Sequence, residues 1–235
     1  MMARHGHSSC VNCPRRALTE WSQLAPEELE LIDRHKRDQI YQPGQVLYNQ
    51  GDSCEGIYCV KEGLVGERRV DADGHSALVR LSHPGMTVGY QELLSRSDYQ
   101  NSAEILQESH VCFIAKSAVR RWLQDTPALG ERFLRRNLQD VRELQTALVE
   151  ARTLGVKTRL LHLLLVFYER NGRHDAASGH VFDIPVARQD LAALVGTSPE
   201  TISRTIRKLE EEEIVYFQGN TAAIPNLDMV FQQIA

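Results

Sequence analysis

No apolar run in this chain approaches the ~20 residues that a membrane-spanning helix requires. The longest, LLHLLLVF at 160–167, is short and interrupted by His162, and reads as a buried helix segment. The opening MMARHGHSSC lacks the apolar stretch of a secretory signal. A cytoplasmic setting without membrane contact is therefore expected. Cysteine is sparse and odd in number, five residues without disulfide-scaffold spacing, which predicts reduced thiols or ligands for metal or redox chemistry. Catalytic signatures are missing too: no Gly-rich phosphate loop ahead of a helix, no nucleophile elbow, no H-E-x-x-H. The expectation is a protein that is not an enzyme. Nor is there an excess of positive charge, with 27 Lys and Arg against 31 Asp and Glu, so a nucleic-acid contact would need a local basic patch.

What is present falls into three textures, in a length that suits two modest domains. Residues 1–20 are polar and rich in His, Cys and Arg. From about 40 to 115 the chain reads as short β-prone runs, QVLY, GIYCV, LVGERRV, SALVRLS, SAEILQ and HVCFIA, separated by Gly-containing turns. That pattern predicts a sandwich or barrel-like β domain. After Pro127 the texture is helical. Leu134, Leu138, Val141, Leu144, Leu148 and Ala151 recur at steps of 3 and 4 between charged residues, an amphipathic stripe on a helix about 40 Å long. Such a stripe either packs on its own domain or forms a coiled-coil-like seam with a second copy. Gly155 marks a hinge before a second, largely apolar helix at 156–172, and two short β-prone runs around Gly219-Asn220 predict a closing hairpin.

The stretch VARQDLAALVGTSPETISRTIRKLEEEEIV, residues 186–215, carries the sharpest signal. Leu191, Leu194 and Val195 supply a packing face, and Gly196 ends the first helix. Ser198 is placed as N-cap and Pro199 as the first helical residue of a second. A Gly-containing turn between two short helices is the helix-turn-helix pattern. The second helix is two-sided: Ile202, Ile206 and Leu209 on one face, Glu200, Ser203, Arg204 and Arg207 on the other, with Thr201 beside them. Arg can bond guanine O6 and N7, and Glu can accept from cytosine N4, so the polar face has the groups needed to read double-stranded DNA in the major groove. The alternative is a solvated charged face. The preceding helix, the turn and the trailing hairpin, which would act as a wing, favour DNA.

With these residues in view the chain resembles the CRP/FNR family of bacterial transcription regulators along nearly its whole length. YQPGQVLYNQGDSCEGIYCVKEGLV and LSHPGMTVGYQELL resemble the family's sensory β-roll, and GTSPETISRTIRKL its recognition helix. The resemblance implies an α+β fold: a Cys/His-containing tail at 1–20, a cyclic-nucleotide-binding-like β-roll at 21–126, a dimerisation helix at 127–154 and a winged helix-turn-helix at 155–235. It also implies a homodimer and RNA polymerase as a partner. Where the cyclic-AMP-binding branch carries Glu and an Arg-Ser pair, this sequence has Tyr90 and Gln100-Asn101, which leaves the nucleotide's phosphate without a cation; cyclic AMP is not expected. Glu200, Ser203 and Arg204 match the E-x-x-S-R pattern of the FNR-like branch, which implies TTGAT-like half-sites. That branch holds an iron–sulfur cluster on three N-terminal cysteines and one in the β-roll. Cys10, Cys13 and Cys112 match three of these, while Thr19 stands where the third N-terminal cysteine belongs. Cys54 is taken as the fourth metal ligand, with Cys59, His5 and His7 as other candidates. A thiol–disulfide switch at Cys10 and Cys13 stays open. So does haem on one of His5, His7, His75, His83 or His110, or no cofactor at all.

Overall fold

The computed structural model describes residues 9–22, 24–176 and 178–234. The chain divides into two compact units, Met1–Arg142 and Glu143–Ala235.

In the first unit α1 (Pro26–His35) leads into a six-stranded antiparallel sheet of β1 (Lys36–Tyr41), β2 (Val46–Tyr48), β3 (Gly56–Val70), β4 (Ser76–Ser82), β5 (Thr87–Val88) and β6 (Ser102–Ala115). Its spine has the order β1-β6-β3-β4, with β2 on β6 and β5 on β3. The short helix α2 (Tyr90–Ser95) follows β5, and α3 (Lys116–Asp125) follows β6. Four of the β-prone runs prove to be two long strands. GIYCV and LVGERRV join into β3, and SAEILQ and HVCFIA into β6, because Gly63 is a bulge rather than a chain reversal. Its φ is +86°, and a Cβ there would lie 2.2 Å from the Ser109 hydroxyl, so only glycine lets the two strands stay paired through the irregularity.

The helix α4 (Pro127–Thr153) starts at Pro127 as the sequence suggests, and the boundary between the two units falls inside it. The reason lies in which face is buried. Leu129, Phe133 and Asp140 pack inward, whereas the apolar stripe faces solvent, with Leu134 57% and Leu144 67% exposed. The periodicity is therefore real, but it does not mark the face that meets the β-roll.

The second unit contains α5 (Val156–Asn171), β7 (Arg173–Asp175), β8 (Gly179–Asp183), α6 (Arg188–Val195), α7 (Pro199–Glu211), β9 (Tyr216–Gln218), β10 (Thr221–Ile224) and α8 (Leu227–Ile234). Its four strands run in the order β7-β8-β10-β9. Gly155, extended at the α5 N-cap, breaks the helical run after α4. The hairpin around Gly219 forms as the sequence suggests, and α1, α3, α8 and the β7–β8 pair add to the elements the sequence suggests.

Candidate functional site

Two places gather chemistry. The first is the α6–turn–α7 unit. Gly196 takes the left-handed conformation at φ +73°, and its N–H and that of Thr197 close the α6 C-terminus onto Ala192 and Ala193 carbonyls. Ser198 then caps α7, its hydroxyl accepting the Thr201 N–H at 3.2 Å. Ile202, Ile206 and Leu209 are buried, and Glu200, Ser203, Arg204 and Arg207 are exposed on the opposite face. Arg204 reaches the Thr201 hydroxyl at 3.5 Å, and Ser203 donates to the Pro199 carbonyl at 2.9 Å. The Glu200 carboxyl is held below the ordinary carboxylate range, first by its own backbone N–H at the helix start and then by Ser198, so it is an acceptor at neutral pH. The wing strand β9 is tied back by the Glu210 carboxylate, which accepts the Phe217 N–H. Arg188 lies over the Phe217 ring at 5.1 Å. At the end of α7 the acidic run 210–213 is partly paired, Glu212 with Lys157 and Lys208.

The second place is a small cavity between the N-terminal segment and the sheet. Cys10, Cys13, Cys59 and Cys112 all line it, together with Thr19, Trp21 and Lys36. Strand register builds the floor. Asp38, Cys112, Cys59 and Thr87 lie opposite one another on β1, β6, β3 and β5, forming one rung across four strands. The roof is the Cys10–Cys13 turn, closed by the Cys13 N–H on the Cys10 carbonyl. Asp33 of α1 holds that turn by accepting the Cys10 N–H at 2.7 Å and the Ser9 hydroxyl at 2.8 Å. The segment expected as a tail is therefore held to the domain at several points: Cys10 and Val11 lie against the hydrophobic core and Glu20 is buried.

Cys54 does not belong to this set. It is buried in a different part of the roll, its thiol directed at the carbonyls of Gly56 and Gly89. Cys54, expected as the fourth ligand, does not line the cavity. Cys59 stands there instead, because its position on β3 is set by pairing with Cys112. His75, His83 and His110 do not line the cavity, and His5 and His7 lie outside the described residues.

The electrostatics around these thiols are specific. Lys36, its side chain almost wholly buried, pairs with Asp33 at 2.9 Å and Asp38 at 3.7 Å and donates to Cys10 Sγ at 3.5 Å. Burial alone would lower its pKa, but Asp33 and the Cys10 and Cys112 thiols raise it overall. Burial pushes the Cys10 thiol up to about 12 and that of Cys59 to about 12. Cys112 is raised further by burial and by donating its proton to Asp38 at 2.7 Å. Burial also pushes the Asp33 carboxyl up, yet hydrogen bonds from Cys10, Lys36 and Ser9 outweigh it and hold it at about 2. Such thiols are poor free nucleophiles; a bound metal would deprotonate them outright. Four thiols are the donor set of an iron–sulfur cluster. They are not drawn as tightly together as a single ion needs: among the described residues the group with all ligand atoms within 4.8 Å is the exposed Asp71, Asp73 and His75.

Comparison with known proteins bears on both places. Residues 38–126 match the Cyclic nucleotide-binding domain family and residues 158–229 the Crp-like helix-turn-helix domain. The chain is 30% identical over 213 residues to the nitrogen fixation regulation protein FixK of Bradyrhizobium diazoefficiens, covering 89% of this chain and 86% of that one. It is 25% identical to the transcriptional activator protein FnrL of Cereibacter sphaeroides, covering 92% and 87%. The solved structure of FixK2 from Bradyrhizobium japonicum shares the fold with a TM-score of 0.72 at 19% identity, covering 85% of this chain and 98% of that one. With both domain types in their order and this similarity along nearly its full length, the chain belongs to the CRP/FNR family of DNA-binding transcription regulators.

Proposed function

We propose that the protein is a homodimeric regulator whose DNA binding is set by oxygen or redox state through an iron–sulfur cluster on Cys10, Cys13, Cys59 and Cys112. The observation that carries this reading is the meeting of four thiols from three separate segments at one cavity, beside a buried ammonium. Bound there, the cluster would supply a group sensitive to oxygen and to electrons. Lys36 offsets part of the charge of four thiolates, and Asp33 fixes the Cys10–Cys13 turn over them. Thr19, which cannot replace a thiolate, lines the same cavity.

Control by cyclic AMP is disfavoured. The Tyr90 hydroxyl donates to Asp140 at 2.6 Å, and Gln100 donates to the Asp98 carbonyl, so neither brings a cation to a phosphate. Arg80 is committed to a two-pronged pair with Asp140 at 2.7 and 2.8 Å.

At the output end, Arg204 reads a guanine and Glu200 the cytosine opposite in a TTGAT-like half-site, with Ser203, Thr201 and Arg207 completing the contact. Dimerisation through the exposed stripe of α4 pairs two such helices on a palindrome, and RNA polymerase is the partner at the promoter. Purification without oxygen, with iron, acid-labile sulfide and haem quantified on one sample and binding to a TTGAT palindrome measured before and after air, tests the reading. Iron with matching sulfide and air-dependent DNA affinity are expected. A metal-free protein whose DNA affinity ignores air would end it.

A further inference from the structure

Two neighbouring residues, Glu20 and Trp21, link the sheet beneath the cysteine cavity to α4, and Trp21 lines the cavity itself. The Trp21 indole N–H donates to Cys59 Sγ at 3.3 Å. Its ring is 5% exposed and stands edge-on to Phe133 of α4, with centroids 5.7 Å apart, and to Trp122 at 6.2 Å. Phe133 in turn stacks on Tyr90 at 5.6 Å, and the Tyr90 hydroxyl returns to α4 at Asp140. Glu20 repeats the arrangement through other atoms. Its carboxylate accepts the hydroxyl of Thr87, the residue opposite Cys59, at 2.8 Å, and its carbonyl accepts from Arg132 of α4 at 2.9 Å.

We propose that Trp21 is a positioning residue that transmits the state of the Cys59 sulfur to α4. The proposal rests on the reading of the cysteines as cluster ligands. An indole has one donor and no acceptor, and when buried it must keep a partner. Here that partner is the sulfur itself. A thiolate ligand accepts an N–H more strongly than a protonated thiol does, since hydrogen bonds to charged acceptors are shorter and stronger. Occupation of the centre therefore pulls the indole toward Cys59, and its loss relaxes the ring. In a close-packed interior the ring cannot shift without displacing its neighbours, and Phe133 is the residue directly before Leu134, where the exposed apolar stripe of α4 begins. The proposed dimer seam thus begins one residue from Phe133, the ring that Trp21 meets. The same N–H raises the reduction potential of a cluster, because hydrogen bonds to its sulfurs favour the more negative, reduced form.

The test uses the full chain purified without oxygen, as wild type, Trp21→Phe and Phe133→Leu. For each, iron and sulfide are counted, the reduction potential is measured, and the dimer dissociation constant is compared before and after the metal is stripped with a chelator. Phe133→Leu is expected to hold wild-type iron and sulfide; Trp21→Phe, which loses a contact to a ligand sulfur, binds more weakly and is compared per loaded chain. In both, the change in dimer affinity on stripping shrinks by roughly fivefold or more, the lower range of coupling between sites. Only Trp21→Phe, which loses the N–H, shifts the potential, to a more negative value; Phe133→Leu keeps that of the wild type. Wild-type coupling in Trp21→Phe would overturn the relay while leaving the cluster reading intact. If Trp21→Phe does not fold, wild-type coupling in Phe133→Leu overturns it. Equal shifts of potential in both variants would mean general loosening and overturn it as well. A wild type without iron and sulfide would overturn relay and cluster reading together.

Discussion

Replacing Cys59 by serine separates its role as ligand from its role in packing. Alanine at this position would leave the buried Trp21 N–H without its acceptor at 3.3 Å, which costs about 1–3 kcal/mol. Serine keeps an acceptor there and a neighbour for the Thr87 hydroxyl, now 3.8 Å from the sulfur. The stripped protein should therefore lose no more than about 1–2 kcal/mol, the cost of a buried hydroxyl with imperfect partners. Metal retention should behave quite differently. Losing one of four thiolates is more severe than losing a supporting contact, which already costs 10–100-fold in affinity, so iron and sulfide per chain should fall by about tenfold or more. Cys54→Ser, at the thiol turned toward Gly56 and Gly89, should keep both at wild-type levels. Adding Thr19→Cys to Cys59→Ser returns a fourth thiol to the cavity and should recover part of the iron. Urea unfolding of the stripped proteins measures the first effect, and iron and sulfide analysis without oxygen the second. Wild-type iron in Cys59→Ser, or its loss in Cys54→Ser, would refute the assignment.

Three further predictions concern other parts of the chain. Arg204→Ala should cost about 1–3 kcal/mol of DNA affinity and relax preference at one base pair; equal weakening on all sequences, seen in competition binding, would remove it from base reading. Asp140→Ala breaks the pair with Arg80 and takes away the Tyr90 acceptor, and should destabilise the protein by about 3 kcal/mol, the low end for a buried pair because the Arg80 side chain is 23% exposed. Urea unfolding checks it, and a cost below 1 kcal/mol, the range of a surface pair, contradicts the coupling. Burial raises the Glu67 carboxyl against the pull of Arg80 and Ser82. The native state then holds a proton that the unfolded chain has released, so this group's contribution falls as pH rises from its unfolded value of about 4.3 toward its higher folded value. Glu67→Gln should gain stability over wild type as pH rises through that window; a pH-independent difference in unfolding midpoints would contradict the shift.

The amino-acid sequence determined by itself whatever rests on short-range pattern. Gly196, Ser198 and Pro199 dictate a helix end and a helix start within four residues, and Ile202, Ile206 and Leu209 then fix the buried face of α7 and leave Glu200 and Arg204 outside. The long helix from Pro127 was legible in the same way. Its apolar stripe, however, said only that one face avoids water, and the tertiary structure decided that Phe133 and Asp140, not Leu134 and Leu144, meet the β-roll. The proposed ligand set was less legible still. Cys54, in the polar turn DSCEG, and Cys59, in the run GIYCV, are both single cysteines, and no local pattern ranks one above the other as a ligand. The bulge at Gly63 and the pairing of β3 with β6 set Cys59 opposite Cys112, while Cys54, before the strand begins, is carried to another part of the roll. Register between distant strands depends on contacts that no local pattern encodes, and for that reason the choice of Cys59 over Cys54 in the proposed site, and the tryptophan that touches Cys59, came into view only in three dimensions.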